Sequence, residues 1–447
     1  MKKTLVALAA LAATSAFAQS SVTVYGIMDV AYKNYQVKNN YGDNLIKSNG
    51  IMDGTNAGNR LGFKGVEDLG NGRSANFVAE FGMTVADPAG LSNRAGAEGA
   101  QVNGVSNSGN IPLGAYGAGS NTRQAYVSLG DSKLGEVRAG YMYAELYNTS
   151  TNTGFFIGQE QPGGFLHKMS NAEFGGTRAN GLAYVSPKLW NNTTTITVQH
   201  GAGTARETFE SDYGSAPSAA GTIYSGQVGY TKNNLKRDSV GALFEQGPLR
   251  LGYAYTQVKQ EQALGSALVS SAGAGTTTYS STYNSYGVPT AQSATTVAYN
   301  YTSSLNQLNG SYDFGVIKPV VQYSKGKKTI DSITTYGGGA GTGAANSNGT
   351  VTSAVGGYDY KAYTLGATVP VGNATFFVLT GKGDVKSATA TLFDYTEKQV
   401  GVRYALSKRT TAYVATGESK DKVAAATANS TASGKSTYSA IGMAHSF

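Results

Sequence analysis

The chain contains no cysteine and, across 447 residues, one tryptophan, nine prolines and three histidines. Without cysteine there is no disulfide framework, so rigidity must come from another source. The histidines, His167, His200 and His445, stand in no GxSxG or HExxH context. The hydrolase and zinc-protease signatures are therefore missing, and neither an enzyme nor a cofactor is expected. Beyond residue 18 no apolar run reaches the length of a membrane helix. Nor does any linker or shift of composition divide the chain into domains.

What is abundant is glycine, with 60 residues, and tyrosine, with 30. The chain opens with the pattern of a cleaved export signal over residues 1–18. Lys2 and Lys3 precede an apolar stretch, and Ala16-Phe17-Ala18 form an A-x-A cleavage site. Residues 19–447 are then one exported domain. The formal net charge of +8 falls to +6 once Lys2 and Lys3 are removed. A basic excess can signal nucleic acid, but export argues against that partner, and basic groups lining a channel fit better.

The remainder alternates with period two, the mark of strands. In SVTVYGIMDVAYKN (21–34), Val22, Val24, Met28 and Val30 oppose Thr23, Tyr25 and Asp29. GNRLGFKGVED (58–68) and RSANFVAEFGM (73–83) flank the turn LGNG. The same unit of strand, short turn, strand and long Gly/Ser/Thr-rich loop recurs to the C-terminus. Short turns fall at 131–134, 188–191, 247–248, 316–317, 372–373 and 407–409, and STYSAIGMAHSF (436–447) stands alone at the end. An opening strand, seven hairpins and a closing strand make sixteen, each roughly 9–11 residues, the length that crosses a bilayer at a tilt. An even count with short turns at one end and long loops at the other describes an all-β, transmembrane antiparallel β-barrel. Segments 222–232 and 295–304 read as strand extensions above the membrane; an eighteen-strand count would need them to cross. Tyr25, Tyr126, Tyr184, Tyr230, Tyr253, Tyr323, Tyr404 and Tyr438 are placed for aromatic girdles. Phe447 closes the barrel against the first strand, leaving no unpaired edge in lipid.

One stretch breaks the alternation. Residues 144–177 hold six glycines together with Phe155, Phe156, Phe165, Leu166 and Phe174, too apolar for a solvated loop. It is expected to fold inward and narrow the pore, with Phe155 and Phe156 anchoring it. The alternative is an external loop packed on its neighbours. On the wall, Arg60 and Lys64 lie opposite Leu61 and Phe63. A basic residue facing lipid costs roughly 2–4 kcal/mol at the midplane, so this pair should face the lumen. Arg138 shares the lumen parity, as do Asp29 and Glu80, which either pair with bases or are merely wet. Glu145, Glu160 and Glu173 on the inward stretch would supply the opposing charge.

The runs QSSVTVYGIMDVAY (19–32), GNRLGFKGVEDLGNG (58–72), TRQAYVSLG (122–130), RANGLAYVSP (178–187) and GMAHSF (442–447) resemble the Gram-negative general-diffusion porins, in particular the β-proteobacterial type. Residues 200–435 match that family only in rhythm. The resemblance implies a homotrimer of sixteen-stranded barrels, with short periplasmic turns, long external loops and the third loop, 144–177, inside the pore. It implies lipid and lipopolysaccharide surroundings, and a terminal aromatic read by the barrel-assembly machinery. It also implies a pore-wall arginine ladder, on which Arg60 and Arg178 match positions and Tyr141 replaces a third arginine. The activity implied is passive diffusion of small hydrophilic solutes and ions, with mild anion preference. A substrate-specific channel for phosphate or small carboxylates, or a non-conducting adhesin or receptor, are the alternatives. Arg178 shares parity with Leu182 and Tyr184, which a bulge near the loop end would reconcile.

Overall fold

A computed structural model of the protein describes residues 21–39, 42–83, 85, 122–154, 178–201, 206–211, 228–264, 278–283, 289–337, 350–387, 391–423 and 433–447. These form nineteen strand segments and one helix, all strands belonging to a single antiparallel sheet. The first part of the chain contributes β1 (Ser21–Asn39), β2 (Asn44–Asp53), β3 (Arg60–Gly70), β4 (Arg73–Gly82), β5 (Thr122–Asp131) and β6 (Gly135–Tyr143), then helix α1 (Glu145–Asn152). The middle contributes β7 (Arg178–Val185), β8 (Thr194–Gly201), β9 (Arg206–Ser211), β10 (Val228–Gln246), β11 (Leu249–Leu264), β12 (Thr278–Tyr283) and β13 (Pro289–Tyr312). The last part contributes β14 (Lys318–Gly337), β15 (Thr350–Val371), β16 (Ala374–Ser387), β17 (Thr391–Ala405), β18 (Thr410–Val423) and β19 (Ser433–Ser446).

Three of these segments do not travel round the barrel. Strand β2 pairs with the upper half of β1, β9 with the start of β10 and β12 with the start of β13. The other sixteen form a closed ring, because β1 pairs with β3 along Ser21–Ile27 and with β19 along Ile27–Asn39. The described parts of 222–232 and 295–304 belong to β10 and β13, so they extend crossing strands and the barrel has sixteen strands rather than eighteen. The 9–11-residue expectation holds for β3 to β6 and is too short for β1 and for most ring strands from β10 onward. The sixteen ring strands run from 8 residues in β7 to 24 in β13, because in the longer ones pairing continues above the apolar zone along the Gly/Ser/Thr-rich extensions.

Exposure alternates in the sense opposite to a soluble sheet. On β1, Val22, Val24, Met28 and Tyr32 are 45–61% exposed, whereas Asp29 and Lys33 are 0% and 4% exposed. Apolar side chains face outward and polar ones inward, which is stable only in a hydrocarbon surround. Tyr184, Tyr253, Tyr323 and Tyr404 join the outer face, as expected of girdles. Tyr25, Tyr126 and Tyr438 do not. Their rings turn inward to Glu80, Arg138 and Gln399 respectively, since each lies one residue off the outward parity of its strand. The side chain of Tyr230 lies outside the described residues.

The short connections gather at one end. Between β3 and β4 the turn is made by Gly70, Asn71 and Gly72, all with φ between +54° and +78°, where glycine and asparagine are tolerated. Closure occurs at the same end. Gly26 and Phe447 exchange both backbone hydrogen bonds, at 3.0 and 3.1 Å. A Cβ on Gly26 would overlap the Phe447 ring, so the missing side chain is what lets the terminal aromatic lie flat on the seam. Phe447 thus sits on the seam between the first and last strands.

Candidate functional site: the pore wall and the inward helix

After β6 the chain turns into the barrel. Helix α1 begins at Ala144, which offers no side-chain cap. Its sequence, ELYNTSTN, is poor in helix formers, and the hydroxyls of Thr149, Ser150, Thr151 and Thr153 each bond back to the carbonyl four residues earlier. So short a helix depends on docking for its stability. Gln307 donates to Leu146 O at 2.8 Å and to Ser150 Oγ at 2.7 Å. Gln322 donates to Ser150 Oγ at 2.9 Å, Asn309 to Thr149 Oγ1 at 3.2 Å and Arg250 to Asn152 O at 3.1 Å. Leu146 packs among Ala254, Leu305, Tyr360, Ala362, Val385 and Tyr395 on the inner face. The helix is thus pinned to the inner wall of β10, β11, β13 and β14. Its first residues lie inside the barrel, as expected for 144–177, and residues 155–177 lie outside the described set.

Glu145 sits where an acid suits the helix dipole, yet it does not face open lumen. It is 5% exposed and pressed against Gly241, where a Cβ would overlap its Oε2. Its Oε1 accepts from Asn148 at 2.9 Å. Burial raises its pKa above the ordinary glutamate value, opposed by the Asn148 hydrogen bond and by Arg138. The expectation of a lumen-facing acid here is corrected: the glycine wall of β10 desolvates it. Glu160 and Glu173 lie outside the described residues.

Across the lumen, side chains from seven strands form a connected row. Glu80 on β4 is 4% exposed. It accepts from Arg123 Nε at 2.7 Å, from the Tyr25 hydroxyl at 3.0 Å and from the Tyr143 hydroxyl at 3.0 Å. Arg123 also donates to the Tyr143 hydroxyl at 2.8 Å. Arg178 lies over the Tyr143 ring, 4.9 Å from its centroid, and its carbonyl accepts from Arg237 at 2.8 Å. Arg237 is 3% exposed and its Nε has no partner among the described residues. At the other end, Arg60 acts electrostatically on Glu80 and Tyr25, and Lys64 sits 5.5 Å from the Tyr25 ring.

The sequence-derived residues divide on this geometry. Arg60, Lys64 and Arg178 are brought to the row. Arg178 arrives without a bulge: β6 and β7 keep their register, and Gly140 (φ +139°) opposite Gly181 marks where the pleat is reset. Arg138 stands lower, paired with Glu136 at 2.7 Å and lying over Tyr126. Tyr141 is in register with Ala125 and Asn180 and acts electrostatically on Arg237. Asp29 is 0% exposed, and among the described residues no short bridge pairs it with a base. It accepts from the Tyr413 hydroxyl at 2.7 Å and from the backbone of Asn56 and Ala57 at 2.8 and 2.7 Å, tying segment 54–57 to the seam. Arg123, Tyr143 and Arg237 were not singled out by sequence reasoning. For Arg237 a signal existed, since Arg237, Ser239 and Gly241 continue one parity.

A family profile described as Gram-negative porin matches residues 4–424. The chain belongs to the Gram-negative porin family. An outer membrane porin protein of Bordetella pertussis is 27% identical over 100% of both chains. Outer membrane porin protein 32 of Delftia acidovorans is 48% identical over 83 residues, 18% of this chain and 22% of the relative. Among solved structures, an anion-selective porin from Comamonas acidovorans shares the fold with a TM-score of 0.59 at 20% identity, covering 96% of this chain and 100% of that one. As a member of this family the barrel supports passive diffusion across the outer membrane. The site suits passive passage, because fixed charges on a rigid wall act on a passing ion without any bond being made.

Proposed function

We propose that this porin is a passive channel for small hydrophilic solutes and ions with a preference for anions. The observation that carries this is the row Arg60, Arg123, Arg178 and Arg237, in which the hydrogen-bonded carboxylate, Glu80, is saturated by Arg123, Tyr25 and Tyr143. Positive charge on one wall therefore exceeds what the row neutralises. The Comamonas acidovorans porin is itself anion-selective, which agrees with this reading. Glu160 and Glu173, on the continuation of the inward segment, are the candidate opposing charges. Cleavage after residue 18, a homotrimeric state of the β-proteobacterial type, and recognition of Phe447 by the barrel-assembly machinery complete the proposal.

Swelling of proteoliposomes tests it. Uncharged sugars should enter at a rate that rises linearly with concentration, and small carboxylates faster than cationic solutes of equal size. Saturation with one anion would instead indicate a substrate-specific channel. No swelling by folded protein would favour an adhesin or receptor.

A further inference from the structure

The ladder beside β1 is interrupted once. Going up β1, Ile27 pairs with Arg60 of β3, and Val30 then pairs with Asp53 of β2. Met28 and Asp29 therefore stand opposite six residues, 54–59, where a continuous ladder would hold two. An ordinary bulge accommodates one extra residue, so a surplus of four must leave the sheet. It leaves on the lumen side, because the groups that hold it point inward. The Asp29 carboxylate accepts from the amides of Asn56 and Ala57 at 2.8 and 2.7 Å and from the Tyr413 hydroxyl at 2.7 Å. That hydroxyl accepts in turn from the Thr55 amide at 2.9 Å. A Cβ on Gly54 would overlap the Asp29 carboxylate, so the segment lies directly on it.

The interruption costs β1 no hydrogen bonds. Asn59 takes the place of the missing strand: its Oδ1 accepts from the Asp29 amide, and its Nδ2 donates to the Asp29 carbonyl at 3.1 Å. Gly54 donates to the same carbonyl at 2.8 Å. Backbone groups left by a departing strand must find such partners, and here they do. The chain leaving β4 braces the far side, with Met83 donating to the Asn59 carbonyl at 3.1 Å and Val85 to the Asp53 carboxylate at 2.9 Å. Asp29, Thr55 and Asn59 are buried, whereas Asn56, Ala57 and Gly58 are half-buried. The base of the segment is packed and its crest is open to the lumen.

The crest stands half-way round the barrel from the inward helix. Counted from β1, β11 is the ninth of the sixteen ring strands, and α1 is seated on β10, β11 and β13. The two also share a level. A Cβ on Gly58 would lie 3.2 Å from Arg123 Nη1, Arg123 donates to the Tyr143 hydroxyl, and the Tyr143 ring stacks on Tyr147 of α1 with centroids 4.3 Å apart. Arg60 follows Asn59 directly, so the same anchor fixes the height of the first arginine of the row.

We propose that residues 54–58 form a second inward element of the passage, facing α1 across the lumen at the level of the arginine row, with Asp29 as its positioning residue. The crest carries no charged side chain, so it limits the size of a passing solute and leaves the sign to the row. This inference rests on the reading of the barrel as a passive channel and not on its anion preference.

Because the chain contains no cysteine, a single introduced thiol can be read without background. Folded Asn56→Cys and Ala57→Cys channels in a planar bilayer should lose conductance stepwise on treatment with uncharged methanethiosulfonates, with a larger loss for the larger reagent. Val400→Cys, on the outer face and labelled in detergent before reconstitution, should lose none. Asp29→Ala frees the crest and should raise the size of polyethylene glycol that still enters the pore. Asp29→Asn keeps an oxygen for the Asn56 and Ala57 amides and should raise it less. A purely structural role for Asp29 would lower the urea midpoint and leave the size limit of the folded fraction where it was. Conductance indifferent to modification at both positions, or a wild-type size limit in folded Asp29→Ala, overturns the proposal while a conducting wild type leaves the channel reading standing. Folded wild type that conducts nothing overturns both.

Discussion

Glu80 is buried and Arg123 half-buried, and each is the other's charge partner across a bulge between β4 and β5. Removing the cation leaves a buried carboxylate uncompensated, which typically costs about 3–5 kcal/mol. Arg123→Ala should accordingly lower the urea midpoint of the reconstituted barrel, while Glu80→Gln/Arg123→Met should recover most of the loss. An unchanged midpoint in the single variant would mean that the pair is solvated. The bulge is also why Arg123 was hidden. Ala125, Val127 and Leu129 face outward, and strict alternation sends Arg123 with them; only the register shift at Glu80/Phe81 turns it inward. A sequence carries no mark of such a shift.

Glu145 makes a pH-dependent prediction at the same scale. Its pKa is raised by burial against β10, so the docked helix holds the proton to a higher pH than the free glutamate would. Stability from this group is complete below the ordinary glutamate value and is lost as pH rises through the raised one. Amide protection in α1, corrected for intrinsic exchange, should therefore fall as pH rises above the ordinary glutamate value, and Glu145→Gln should abolish that fall. Protection that rises with pH would contradict the assignment.

Among the described elements, α1 is the one docked inside the barrel, and its seat is made by absent side chains. A Cβ on Gly241 would overlap Glu145, and one on Gly252 would lie 3.1 Å from Thr149 and Thr153. Gly241→Leu should lift the helix from the wall, raising single-channel conductance and broadening its distribution while β10 stays paired. Unaltered conductance would mean that α1 does not set the passage. The inward course of the chain after β6 was legible from the loss of alternation and the apolar content after Ala144. Its docking site was not, because Gln307, Asn309 and Gln322 come from strands far along the chain. The strands themselves were legible, since period-two alternation is the direct consequence of one face meeting lipid and the other water. Which tyrosines line which face was less so: Tyr25 and Tyr438 sit one residue from the outward parity, and a one-residue difference exchanges the two faces.

For the whole molecule, closure and charge are the two properties on which the function depends. Closure is written at the termini, where Gly26 and Phe447 meet. Gly26→Val should slow folding into liposomes, followed by the heat-modifiable gel shift, and leave the conductance of the folded fraction unchanged. Charge is distributed over strands from Arg60 on β3 to Arg237 on β10, and the consecutive pairing of β3 to β8 and of β8 with β10 brings those groups into one row. The central claim is that this row sets the sign of the pore. The direct measurement is the reversal potential of single channels in a planar bilayer under a KCl gradient, for wild type and for Arg60→Ala/Arg178→Ala. The account predicts an anion-signed potential that moves towards zero in the variant. A cation-signed wild type, or a variant indistinguishable from it, would contradict the assignment of selectivity to the arginine row.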